Sequence, residues 1–132
     1  MLTRIDHVVI AVSDLPQAMT QYRKLGFDIH PGGDHPGMGT HNAIGLNQED
    51  YIELLAIRDQ TEQRSAAARP GSWVTGLAEF VAAGGGLRYV VVQSDDLAVD
   101  SRSINFGDVR VIGPNGFMQN AGFYGLDVNA NG

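Results

Sequence analysis

Apolar positions along this chain fall into three rhythms. The first is a β-branched run, Val8-Val9-Ile10-Ala11-Val12, inside the eleven residues from Ile5 to Leu15. A run of this kind reads as a strand buried on both faces. It returns at Leu87 to Leu97, where Val90, Val91, Asp96 and Leu97 repeat Val8, Val9, Asp14 and Leu15, and Leu87 and Val92 answer Ile5 and Ile10. One strand that opens a module is thus used twice. The second rhythm is helical: Leu15, Ala18, Met19, Tyr22 and Leu25 form one stripe. Asp14 and Gln17 give it a capping-box spacing, Pro16 suits its first turn, and Gly26 followed by Phe27 ends it. The third rhythm is extended. Strands are expected from Phe27 to His30, Thr40 to Leu46 and Asp50 to Ile57, with Pro31 to Gly39 as a turn-rich loop and Asn47-Gln48-Glu49 as a turn. The first module is therefore β-α-β-β-β.

Beyond Ile57 the rhythm weakens. Arg58 to Gly71 is polar and Ala-rich, ends in Pro70-Gly71, and reads as a connector. Ser72 can cap a helix that carries Trp73, Val74, Leu77, Phe80 and Val81 on one face, and Gly84-Gly85-Gly86 stops it. The second module starts at Leu87. Leu97, Ser101 and Ile104 predict a shorter helix, Asp108 to Ile112 a strand, and Gly113 to Gly116 a turn. Few residues follow Asn120, and Asn129-Ala130-Asn131-Gly132 are poor strand formers. The second module is expected to be shortened. An incomplete sheet leaves strand edges open, which predicts a two-fold homodimer through sheet edges or the Phe117 to Val128 segment.

Composition narrows the class. The 132 residues suffice for one α+β domain, with a first module at 1–57, a connector and helix at 58–86, and the second module at 87–132. A net charge of -6, with no Lys or Arg cluster, argues against nucleic acid as partner. No apolar run approaches the roughly 20 residues of a membrane span, and Met1-Leu2-Thr3-Arg4 shows no signal-peptide pattern. The absence of cysteine excludes disulfides and thiolate metal sites. A cytoplasmic protein fits these features.

Strand alternation sorts the candidate chemistry. Strict parity puts Ile5, His7, Val9 and Ala11 on one face and Asp6, Val8, Ile10 and Val12 on the other. Tyr51, Glu53, Leu55 and Ile57 oppose Ile52, Leu54 and Ala56 in the same way. The all-apolar sets suit packing under the first helix, so His7 and Glu53 converge on the opposite side. An imidazole and a carboxylate there are half of a metal site or an acid/base pair; a hydrogen-bonded strand histidine is the plain alternative. The stretch His35 to Asn42 serves equally as a tight connector or as a cleft rim where Thr40, His41 and Asn42 offer donors and acceptors. His30 and His35 read as solvated, Trp73 as core, and Asp95-Asp96 as a second cap. Gly84-Gly85-Gly86 ends a helix and precedes a strand, the reverse of a phosphate loop.

Three stretches together, Ile-Asp-His-Val-Val-Ile-Ala-Val-Ser-Asp-Leu, His-Pro-Gly-Met-Gly-Thr-His-Asn-Ala and Tyr-Ile-Glu-Leu, resemble the glyoxalase-like domain family of the vicinal oxygen chelate superfamily. The resemblance runs from Ile5 to about Asp96. It implies paired β-α-β-β-β modules that form a curved mixed sheet around a small-molecule cleft. His7 and Glu53 occupy the positions where metal-dependent members bind a divalent ion such as Zn, Fe, Mn or Ni. Glu53 is then the catalytic carboxylate, and Thr40, His41, Asn42 and Tyr51 the substrate contacts. The chain departs from the pattern in its second module. Tyr89 stands where a second His would repeat His7, no Glu follows Glu79, no His follows His41, and Asp127 is the nearest acidic substitute. Two functions are implied. One is a small-molecule enzyme of lyase, isomerase or ring-cleavage type that works with a divalent metal; the other is a metal-free protein that sequesters a small molecule in the same cleft.

Overall fold

The computed structural model describes residues 2–47, 50–94, 110–112 and 118–120. The chain divides into two compact units, Met1–Asp95 and Asp96–Gly132. In the first, the order is β1 (Leu2–Ala11), α1 (Leu15–Lys24), β2 (Asp28–His35), β3 (Thr40–Asn47), β4 (Asp50–Ile57), α2 (Gln60–Ala67), α3 (Leu77–Ala82) and β5 (Gly86–Ser94). Its five strands form one mixed sheet in the order β2-β3-β4-β1-β5. β1 runs parallel to β4, and every other pair is antiparallel. The repeated strand, β5, belongs to the same sheet as its first copy and lies directly against it. In the second unit, β6 (Arg110–Ile112) pairs antiparallel with β7 (Met118–Asn120). The helix expected around Leu97 to Ile104, the turn at Gly113 to Gly116, Asp127 and everything past Asn120 lie outside the described residues. No helix among the described residues is long and apolar enough to cross a membrane.

The two faces of the sheet bury different partners. Leu54, Ala56, Ala43 and Ile29 pack beneath Leu15 and Ala18 of α1, with Ile10, Val12, Met19, Tyr22 and Ile52 around them. α1 sits there because both its ends are fixed. Asp14 Oδ1 accepts from the Gln17 amide at 2.8 Å. At the other end Gly26 takes φ 97°, its N–H reaches the Arg23 carbonyl and the Phe27 N–H the Tyr22 carbonyl. That is a Schellman close, with the Tyr22 and Phe27 rings 5.7 Å apart as its apolar clasp. On the opposite face Val9, Ala11 and Leu55 pack against Ala66, Val74 and Leu77, flanked by Met38, Ile57, Trp73, Phe80 and Tyr89.

Four expectations are corrected. β2 does not stop at His30 but continues through Pro31-Gly32-Gly33 to His35, because as an edge strand it tolerates a proline and absorbs the glycines in a register shift between Pro31 and Asp34. The polar connector contains α2, whose N-cap Asp59 accepts from the Thr61 and Glu62 amides at 2.8 and 2.9 Å. The N-cap of the third helix is Gly76, in the left-handed region, rather than Ser72, and α3 begins at Leu77. His35 is half-buried rather than solvated, its Nδ1 2.9 Å from Thr40 Oγ1 and its ring edge-on to Trp73. His30 is exposed, beside Asp28.

Candidate functional site

The face opposite α1 changes character along its length. Where α2 and α3 cover it the residues are apolar; toward the start of β1 they are polar. The pairing register brings His7 beside Tyr51, and Val9 beside Glu53. His7 Nε2 lies 3.7 Å from Glu53 Oε2, with only 12% and 14% of the two side chains exposed. The Tyr51 ring lies flat on the imidazole, centroids 4.3 Å apart and planes 11° from parallel.

Two further side chains complete the cluster. Asn42 Nδ2 donates to Glu53 Oε1 at 2.7 Å, while Asn42 Oδ1 accepts from the Gly33 amide at 2.9 Å. Both ends of that amide are thus engaged within the protein. Gly32 leaves room for it, since a Cβ there would overlap Asn42 Oδ1. Asp6 is the residue that alternation hides. Ile5 pairs with Val92 and His7 with Val91, so Asp6 is an extra residue on β1, a β-bulge. The bulge brings the carboxylate round to His7, with Oδ2 2.7 Å from Nδ1. It also breaks strict parity: Ile5 and His7 pair with adjacent residues of β5, so they take opposite faces. Asp6 Oδ1 accepts from Gln93 Nε2 at 2.5 Å, and Gln93 Oε1 accepts from Arg4 Nε at 3.1 Å. The hydrogen bond to His7, helped by Gln93 and by the nearby charge of Arg4, holds the Asp6 carboxyl below its ordinary value despite partial burial.

The remaining candidates lie elsewhere. Thr40 is fully buried beside His35. His41 pairs with Ala56, which puts it on the α1 side, opposite Asn42 and Glu53. The structure thus brings together His7, Glu53, Asn42 and Tyr51, and leaves Thr40 and His41 apart. Tyr89 donates its hydroxyl to the Trp73 carbonyl and packs in the apolar half of this face.

An imidazole nitrogen and a carboxylate oxygen at one point suit a divalent ion, and a carboxylate behind the imidazole is the usual support of a metal-binding histidine. Among the described residues no group of three or more His, Cys, Asp or Glu converges. His7 and Glu53 therefore fit as two ligands, one short of the three protein ligands typical of catalytic zinc.

The glyoxalase-like domain profile matches residues 5–121. The chain belongs to that family. Among solved structures it is similar to methylmalonyl-CoA epimerase from Mycobacterium tuberculosis, at 25% identity and TM-score 0.55, over 73% of this chain and 58% of that one. It is also similar to a methylmalonyl-CoA epimerase in complex with methylmalonyl-CoA and NH4+, at 26% and 0.53, over 74% and 64%. A hypothetical protein from Bacillus halodurans shares the fold at 21% and 0.56, over 86% and 79%. The chain spans less than two thirds of the length of both epimerases. No curated protein sequence matches it.

Proposed function

We propose that this glyoxalase-like domain is a cytoplasmic small-molecule enzyme that moves a proton at carbon next to a carbonyl, with Glu53 as the base. The observation that carries this reading is the 3.7 Å approach of His7 Nε2 to Glu53 Oε2, with both side chains largely buried. Two proton-accepting atoms aimed at one point, with water mostly excluded, are what such a transfer needs. Asn42 occupies Glu53 Oε1, so Oε2 is the oxygen left to meet substrate. Tyr51 supports the imidazole from below. Methylmalonyl-CoA epimerases among the structural relatives favour an acyl thioester as substrate. A divalent ion on His7 and Glu53 would supply Lewis-acid polarisation of the substrate's oxygens. The more than half-exposed Ile5, Leu46 and Leu87 favour a homodimer.

The test is deuterium uptake from heavy water into methylmalonyl-CoA and related thioesters, followed by NMR, with elemental analysis of the same protein. We expect uptake in the wild type and a fall of about 100-fold or more in Glu53→Gln, the usual scale for losing a general base. Tight binding without uptake in any thioester would replace this reading with that of a sequestering protein.

A further inference from the structure

The atoms around His7 form a directional chain. Arg4 has only donors on its guanidinium, so its Nε must give a proton to Gln93, which fixes Gln93 Oε1 toward Arg4 and Nε2 toward Asp6. Gln93 Nε2 donates to Asp6 Oδ1, leaving Oδ2 for His7. An ionised carboxylate only accepts, so the partner at 2.7 Å, Nδ1, must carry the proton. A neutral imidazole has one N–H, and its Nε2 then presents a bare lone pair toward Glu53 Oε2.

We infer that Asp6 is a positioning residue which fixes the tautomer of His7, and that Arg4 and Gln93 fix the orientation of Asp6. The inference rests on the proposed site at His7 and Glu53, but it concerns where a proton sits rather than what is turned over. Its structural root is the β-bulge: without the extra residue, alternation would send the Asp6 side chain to the α1 face, away from the imidazole. Bulges recur beside active sites because they re-aim a side chain in this manner.

The chain makes a sharp statement about an isosteric substitution. In Asp6→Asn the side chain must offer one oxygen and one NH2. Gln93, held by Arg4, still donates, so the new oxygen turns to Gln93 and the NH2 turns to His7. Nδ1 then has to accept, and the proton moves to Nε2, where it blocks the face toward Glu53. Asp6→Ala removes the acceptor without supplying a donor and leaves a mixture.

Long-range proton–nitrogen NMR of the full chain, labelled with 15N-histidine, reads the tautomer directly. His7→Gln identifies the His7 signals, and the spectra are recorded at alkaline pH. The expected result is the Nδ1–H form in the wild type, inversion to Nε2–H in Asp6→Asn, and loss of the Nδ1–H majority in Asp6→Ala. A wild-type ring protonated on Nε2, or one doubly protonated under these conditions, overturns the inference. So does an Asp6→Asn protein that keeps Nδ1–H. If Asp6→Ala does not fold, the wild type and the isosteric variant still decide. A correct tautomer in a protein that exchanges no thioester proton would leave this inference standing and remove the proposed activity.

Discussion

A methyl group at residue 32 would occupy the space that the Asn42 amide fills. Gly32 is not among the positive-φ glycines, so alanine there meets no φ penalty; the main obstacle is that amide, with the Asn42 carbonyl oxygen a lesser one at 3.1 Å from the new methyl. Gly32→Ala should therefore swing Asn42 off Glu53 while leaving the fold intact. A hydrogen bond to a charged group contributes about 1.5–3 kcal/mol, so calorimetric affinity for any ligand that uses Glu53 should drop about tenfold or more. Unchanged affinity would show that Asn42 does not matter to that carboxylate. Asp6 yields a pH prediction. Its carboxyl is held low by the hydrogen bond to His7, then by Gln93 and by the charge of Arg4. A lowered folded value means the contribution is complete above the ordinary carboxylate value of about 4 and is lost as pH falls through the folded one. The melting temperature of the wild type should accordingly fall more steeply below about pH 4 than that of Asp6→Asn. Parallel curves would show that Asp6 adds nothing. At this scale the sequence was half legible. His7 and Glu53 emerge from alternation because β1 and β4 lie in simple parallel register, while Asp6 cannot, because an inserted residue leaves no mark in an apolar pattern. Thr40 and His41 illustrate the converse: polar residues near a glycine-rich turn look like a rim, but Thr40 is interior and His41 faces the other way.

Elements were legible where one signal dominated. The Leu15 to Leu25 stripe, its Asp14 cap and its Gly26 stop all agree, and α1 forms as they dictate. α2 was not, since its buried positions are Gln63 and Ala66, which carry no apolar rhythm. Gln63 is buried because its Nε2 donates to the Val74 carbonyl at 3.0 Å; α2 is stapled in part by polar contacts. Glu62 Oε1 takes the Gly37 amide at 2.6 Å and Arg69 Nη2 gives to the Gly37 carbonyl at 2.6 Å, so the turn between β2 and β3 is bound to α2 as well. The region Trp73 to Val81 has helical spacing, yet Gly76 in the left-handed region delays α3 to Leu77. The β4–α1 contact is conventional by comparison. Leu54 is fully buried there, and Leu54→Ala should cost about 2–5 kcal/mol, read as a lower midpoint in urea with unchanged slope. A loss below about 1 kcal/mol would mean that this layer repacks freely.

For the whole molecule, the proposed homodimer should appear in light scattering across a dilution series as twice the monomer mass of 14.2 kDa. A particle that stays at monomer mass at high concentration would remove any route to a metal site completed by a second copy. The sheet order carries a different consequence, for synthesis. β1 lies between β4 and β5, so the strand that is made first needs partners that are made later. Its Val9 pairs through Tyr89 on one side and with Glu53 on the other. At roughly 5–20 residues per second, the Val8 to Val12 run waits on the order of 4–16 s for β5 to be made. That run is β-prone, uncharged and free of proline, the composition that seeds aggregation. Polar pairs bracket it, Asp6-His7 before and Ser13-Asp14 after. The residues that shape the candidate site and cap α1 thus also stand where gatekeepers belong, on either side of the stretch that a half-made sheet leaves without partners.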